Sequence, residues 1–327
     1  MKTFNICLEE FNELVSKKLF DQQEPRSLYE PIDYILSLGG KRIRPASLMA
    51  VCDFYSGSRQ NAINAALAIE IFHNFTLLHD DIMDNASLRR GQKTVHEEFN
   101  TNTAILSGDV MFVKSIEYFT HYSADFLVPI LKVFNQTAIE VCEGQSLDMD
   151  FEVRDDVNIT EYIQMITFKT SVLLAACLQI GGIIGSASEE DQFHLYEFGK
   201  NLGIAFQIQD DILDTFGEQV NVGKRAGGDI LQNKKTYLYL KAMELADPKL
   251  KNELLAWFNE VGPTEKEEEK INSVKKIFNT LVVQEWANQL KEAYRDLAIS
   301  HIEPLKLKDH QKEELRSFAD YLIARNF

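Results

Sequence analysis

Residues 61–81, NAINAALAIEIFHNFTLLHDD, contain no glycine or proline and are dense in alanine and leucine. Such a run reads as one long helix buried over most of its length. The same helical spacing recurs over 104–121, 127–145, 160–180, 191–214, 234–246 and 281–300. Alternating apolar and polar patterns bounded by turn residues, the mark of strands, are nearly absent. Of the seven prolines, Pro25, Pro31, Pro45, Pro248 and Pro263 are expected at breaks between helices. The other punctuation is SLGGKRIRP, GGIIGSASEED, TFGEQVNVGKRAGGD and VGPTEKEEEK, the last read as a solvated, charged loop. The opening stretch, MKTFNICLEEFNELVSKKLF, has the pattern of an amphipathic helix rather than of a signal peptide. No repeat or low-complexity linker divides the chain. The expectation is one all-α domain over residues 1–327, built from ten or more helices.

Composition limits what such a domain can bind. The 327 residues carry a formal net charge of -16. That argues against nucleic acid, which needs a basic footprint. It leaves cations, and ligands that arrive with cations, as natural partners. No apolar run reaches the roughly 18–20 residues of a membrane span, so stable membrane insertion is not expected. Cys7, Cys52, Cys142 and Cys177 are scattered without a paired spacing. They read as reduced thiols, and a cytoplasmic setting is expected.

The long run at 61–81 leads into LLHDDIMDNASLRRG, which crowds Asp80, Asp81 and Asp84 onto one helix end. Asp80 and Asp84 are i,i+4 neighbours, where like charges repel. QIQDDILD repeats the spacing with Asp210, Asp211 and Asp214, again at the end of an apolar helical stretch. One such triplet is compatible with chance acids on a surface helix. Two in the same context point to hard divalent cations, which take carboxylate oxygens. Mg²⁺ typically uses one or two carboxylates together with substrate phosphates. Mg²⁺, with Mn²⁺ as a possible substitute, is therefore the expected cofactor.

Cations stand at matching places. GGKRIRP sets Lys41, Arg42 and Arg44 between a helix-ending glycine pair and Pro45, a proline suited to a first helical turn. Basic side chains beside a helix start suit an anion, and a solvated basic turn is the plainer alternative. Arg89 and Arg90 follow the first acidic triplet. They could form weak surface pairs with Glu97 or Glu98, but the planar guanidinium fork suits phosphate better. Lys169 interrupts an apolar helical segment, where a snorkelling lysine is the alternative. Lys224 and Lys234 flank Asp229. His73 lies two turns before Asp80 and is read either as a core histidine or as a ligand.

Taken in order, GGKRIRP, EIFHNFTLLHDDIMDNASLRRG, FKT and FQIQDDILDTFGEQVNVGKRAGGDILQNKKT resemble the signatures of trans-isoprenyl diphosphate synthases, the polyprenyl synthetase family. Terpene cyclases share the first acidic motif, but their second metal motif has a different character. The resemblance implies an all-α isoprenoid synthase bundle around a deep central cavity, usually a homodimer. It implies condensation of isopentenyl diphosphate with an allylic diphosphate (dimethylallyl, geranyl or farnesyl). By position, Asp80, Asp84 and Asp210 would hold Mg²⁺, supported by Asp81, Asp211 and Asp214. Arg89, Lys169 and Lys224 would grip the allylic diphosphate, with Lys234 nearby. Lys41, Arg44, His73 and Arg90 would bind isopentenyl diphosphate, and Thr170 and Gln207 would lie beside the reacting carbon. A long-chain synthase, a class I cyclase and a non-catalytic partner subunit are the alternatives. The last of these would be expected to have lost acids or arginines from its motifs.

Product length is read from helix geometry. At 1.5 Å per residue, Phe75 lies about 7.5 Å below Asp80 and could floor the cavity, with Phe72 nearly a turn deeper. The alternative packs Phe75 outward into ordinary core. Thr76 is small and leaves room beside the ring. In the family an aromatic at this place goes with short products, so C15–C20 is expected.

Overall fold

The computed structural model describes residues 1–217, 227–259 and 266–324. Lys224 and Pro263 lie outside them. The described chain is helical with one small exception. Its helices are α1 (Lys2–Val15), α2 (Arg26–Ser37), α3 (Ile43–Ser56), α4 (Ile63–Met83), α5 (Val95–Glu98), α6 (Thr101–Phe119), α7 (Ala124–Val153), α8 (Ile159–Ile166), α9 (Val172–Ile184) and α10 (Glu189–Phe216). Further helices follow at Gly228–Leu231, Tyr237–Leu245, Pro248–Phe258, Glu267–Thr280, Val283–Ser300 and Asp309–Ile323. The exception is a hairpin in which β1 (Leu88–Arg89) pairs antiparallel with β2 (Gln92–Lys93). Its turn residues, Arg90 and Gly91, both have positive φ, at 54° and 76°. Two-residue hairpins favour such turns because their twist matches that of the strands.

Contacts divide the chain into two compact units: residues 1–136, 173–196 and 304–318, and residues 137–172, 197–303 and 319–327. In the first unit, α4 packs on α6 and α3. Ile32, Ile35, Leu36, Ile71, Leu78, Ala104 and Met111 form a dry core there. Gly108 of α6 makes part of this approach possible, since a Cβ there would lie 2.3 Å from Nε2 of His79 on α4. The amphipathic N-terminal helix is α1, which buries Phe4, Cys7 and Phe11. In the second unit, Tyr162, Ile166, Ile204, Ile208, Leu238 and Phe278 join a separate core.

Several expectations are corrected. Pro31 does not break a helix but lies inside α2. Its fixed φ is compatible with a helix, and its burial offsets the lost backbone hydrogen bond. The acidic run Glu267–Glu269 is the first turn of a helix, not a loop. Negative side chains there complement the positive end of the helix dipole. The stretch 160–180 is not one uniform helix, because Thr167–Ser171 form a π-helical turn between α8 and α9. Counted through that turn, Ile159–Ile184 is 26 residues long and contains an 18-residue window of mean hydropathy 1.5, apolar enough to span a membrane by length and composition. Its most apolar window is 72% buried inside the protein, as in a core helix.

Candidate active site

In the first unit, α4 delivers the first acidic triplet at its C-terminus, the negative end of the helix dipole. Asp84 is the C-cap, and its N–H donates to the Asp80 carbonyl at 2.9 Å. Three carboxylates at that end are doubly disfavoured unless cations meet them. One does: Arg89 donates from Nε and Nη2 to the two oxygens of Asp81, both at 2.7 Å. It also stands 3.8 Å from Asp80. Burial still pushes the Asp81 carboxyl above its ordinary range, opposed by the bonds from Arg89. The hairpin turn fixes Arg89 and Arg90, so neither reaches for Glu97 or Glu98 as a surface pair.

Arg90 extends back over the basic turn. Its guanidinium lies so close to Gly40 that a Cβ there would be 2.9 Å from both terminal nitrogens. Gly40 also has φ 141°, so two constraints coincide at this glycine. Arg44 Nη1 approaches His73 Nε2 at 3.4 Å. Burial, then the charges of Arg44, Arg90, Arg89 and Arg42, hold His73 well below its ordinary value. The imidazole is therefore neutral and accepts from Arg44. That shared influence gathers Arg44, Arg89 and Arg90 around His73, while Lys41 is exposed on the same turn.

Arg42 takes a different place. It caps α3 in the left-handed region at φ 46°, and its side chain is buried against the Glu70 carboxylate and the Leu36 carbonyl. Asn74 donates to Glu70 Oε1 at 2.7 Å and completes the group. A buried ion pair tied to a backbone carbonyl fixes the turn between Lys41 and Arg44.

Below Asp80, Phe75 is half-buried. It stacks on Phe112 of α6 at 5.4 Å and meets His79 edge-on at 4.8 Å. Phe72 is fully buried beneath, 5.1 Å from Phe134. Thr76 donates its hydroxyl to the His73 carbonyl at 2.8 Å, which leaves its methyl as its apolar part. Phe112 was not singled out in the sequence, since its ring meets Phe75 only through the packing of α6 on α4.

In the second unit, α10 ends with the second triplet. Asp211 is buried and bound by neutral donors: Tyr162 donates its hydroxyl at 2.6 Å and Gln207 its amide at 3.0 Å. Burial, then the negative charge of Asp229, push Asp211 well above the usual carboxylate range. Asp214 accepts from the Asp229 N–H at 2.9 Å and so ties α10 to the helix Gly228–Leu231. Thr170 donates to Gln207 Oε1 at 3.2 Å. Lys169 bonds Asp148 Oδ2 at 2.6 Å, with Lys234 at 3.6 Å from the same oxygen. Asp148, Tyr162, Lys169, Thr170, Gln207, Asp211, Asp229 and Lys234 line one cavity of about 110 Å³.

Lys169 and Thr170 sit on the π turn. Gly144 of α7 and Gly203 of α10 pack against it from two helices: a Cβ would come within 2.2 Å of the Lys169 nitrogen and 2.6 Å of the Ser171 Cα. Such turns are rare and frequent at functional sites.

The donors fit a hard divalent cation. They are carboxylates, they stand at the negative ends of two helices, and Asp211 is charged only against burial and a second acid. Among the described residues no three metal-ligating side chains form a ready cluster.

An all-α fold that ends two helices in acidic triplets, each beside clustered cations, is of the isoprenoid synthase class. The chain belongs to the polyprenyl synthetase family, whose model matches residues 25–280. It is 37% identical over 325 residues to a geranylgeranyl diphosphate synthase of Saccharolobus solfataricus, covering 96% of this chain and 97% of that one. A crystal structure of a geranylgeranyl pyrophosphate synthase matches with TM-score 0.94 at 44% identity, covering 100% of both chains. That of the Pyrococcus horikoshii synthetase matches with TM-score 0.91 at 33% identity, covering 99% of both.

Proposed function

We propose that this protein is a trans-isoprenyl diphosphate synthase that condenses an allylic diphosphate with isopentenyl diphosphate and releases diphosphate, with C15–C20 products. One observation carries the reading. Two ammonium groups, a threonine–glutamine pair and a buried acid of the second triplet share one cavity. Lys169 and Lys234 hold the allylic diphosphate there, with Lys224, outside the described residues, assigned to the same grip. As the allylic C–O bond breaks, fixed cations stabilise the charge that develops on the leaving group. Asp80 and Asp84, with Asp81 behind them, and Asp210, with Asp211 and Asp214 behind it, would hold divalent metal, which when bound would supply Lewis-acid neutralisation of that same charge. Thr170 donates a hydrogen bond from its hydroxyl to Gln207 Oε1, and Gln207 donates one from its amide N–H to Asp211. Both oxygens are thereby held as negative dipole ends suited to an allylic cation.

Isopentenyl diphosphate is assigned to Lys41, Arg44, His73 and Arg90, while Arg89, beside the first triplet, is assigned to the allylic diphosphate. Its double bond attacks the cation, a C–C bond forms, and the departing diphosphate takes the proton. Phe75 and Phe112 act as the floor that limits the chain, and the names of the relatives support a short product. We assign a homodimer, supported by Ile105, Leu106 and Val113, which lie exposed along α6. The single-domain reading is supported by a family match that runs through both units. A soluble, cytoplasmic enzyme is supported by four free cysteines and the burial of the apolar 159–184 helix. Incubation with Mg²⁺, labelled isopentenyl diphosphate and each allylic starter tests the assignment. C15–C20 products are expected, and either no condensation or a C30 product would overturn it.

A further inference from the structure

Asp148 belongs to neither acidic triplet, yet it stands at the centre of the cation pair in the second unit. Its Oδ2 is 2.6 Å from Lys169 Nζ and 3.6 Å from Lys234 Nζ. Its side chain is 15% exposed. Burial alone would raise its carboxyl, but Lys169 and Lys234 more than offset that and hold it below the ordinary range. Asp148 is thus a fixed anion where the lysines meet.

Its position is secured from both sides. One turn earlier on α7, Gly144 brings the helix into backbone contact with Lys169. Five residues later the chain leaves α7, where Lys235 donates to the carbonyls of Phe151, at 2.9 Å, and of Arg154. Lys235 therefore clamps the end of α7 to the segment that carries Lys234, as a cation suits a helix C-terminus.

We propose that Asp148 is a positioning residue that competes with diphosphate for Lys169 and Lys234 and so keeps their grip reversible. Its carboxylate pairs with both ammonium groups and holds them at the cavity. When a diphosphate enters, its oxygens must displace or share that carboxylate. The net pull of the pair on a diphosphate is that of two cations less one anion. Without the carboxylate the site would hold the ground state and the released diphosphate more tightly, and turnover would slow.

This inference rests on reading Lys169 and Lys234 as the allylic diphosphate grip, and the experiment separates the two. Binding of inorganic pyrophosphate to the full chain is measured by calorimetry in chelator, so that side chains alone are read. Lys169→Ala and Lys234→Ala should each weaken it. If neither does, the grip reading itself fails. Asp148→Asn is nearly isosteric and should tighten it about tenfold, the order expected for one charge at this range in a partly buried site. In Mg²⁺, the same variant should lower kcat and the KM for the allylic diphosphate together. Asp148→Glu restores the charge and should return affinity towards the wild type. If the lysine variants weaken binding but Asp148→Asn leaves it unchanged or weakens it, Asp148 is only scaffold and the inference is overturned. If Asp148→Asn fails to fold, Asp148→Glu against Asp148→Ser decides by the same binding readout.

Discussion

The two acidic triplets have the same spacing and the same place at a helix end, but their middle acids are held by different chemistry. Asp81 sits in a bidentate guanidinium fork from a hairpin turn. Asp211 sits among neutral donors, a phenol and a carboxamide, and faces Asp229. A repeated motif thus does not mean a repeated environment. Charge is met by charge in the first unit. In the second, Lys169 and Lys234 of the same cavity pair with Asp148, and Asp211 is held by hydrogen bonds.

Removing the outer acids should have the largest effect. Asp80→Ala and Asp210→Ala are each expected to lower kcat by about 10³-fold, the scale seen when a preorganised electrostatic contact is lost. Helix content by circular dichroism should be unchanged. Equal, full activity in either variant would end the symmetry of the two triplets.

The next effect is on stability, and it separates the two environments directly. Arg89→Met strands the buried Asp81 carboxylate and should cost about 3–5 kcal/mol, as for a broken buried pair. Tyr162→Phe removes one neutral donor from Asp211 and should cost about 1–2 kcal/mol. Urea unfolding in chelator measures both. If the order reverses, Asp211 rather than Asp81 is the carboxylate that depends on its partner.

Substrate kinetics divide the cations more finely. Lys41→Ala and Arg44→Ala should raise the KM for isopentenyl diphosphate about tenfold, while Lys169→Ala should chiefly lower kcat with the allylic substrate. Equal damage to both substrates in all three variants would remove the assignment of one diphosphate to each cluster.

The smallest change is in product size. Phe75→Ala should lengthen the major product and Thr76→Phe should shorten it, read by chromatography of the hydrolysed alcohols. An unchanged distribution in Phe75→Ala would place the floor elsewhere.

What could be read in advance was local. The helices of 61–81 and 191–214 and their acidic ends follow from composition and period within a single segment. The N-terminal helix followed from its amphipathic pattern, and Pro248 falls in the first turn of its helix as its geometry requires. The partners that tune the site are far apart in sequence and carry no local signal. Asp148 finds Lys169 and Lys234, Tyr162 finds Asp211, and Arg42 finds Glu70 only through packing. Arg42 also looks, in GGKRIRP, like one more exposed cation, and only its burial separates it from Lys41. A trace did exist for Asp148: it is an acid on the inner side of a long helix, one turn after a glycine. Pro31 and Glu267–Glu269 misled because composition marks a break there, whereas burial and the helix dipole favour continuation or a start.

The π turn at Thr167–Ser171 has a consequence for what a better-behaved sequence would do. Such a turn accommodates one residue more than an ordinary helix needs. Deleting one residue there would let the helix close into regular α-helical bonding with no hydrogen bond lost. The same deletion would leave the flanking helices in register but would abolish the wide turn on which Lys169 and Thr170 sit. Lys169 and Thr170 could not both then keep Asp148 and Gln207. The chain carries an irregularity that a smoother helix would erase, and the smoother protein would be the poorer catalyst.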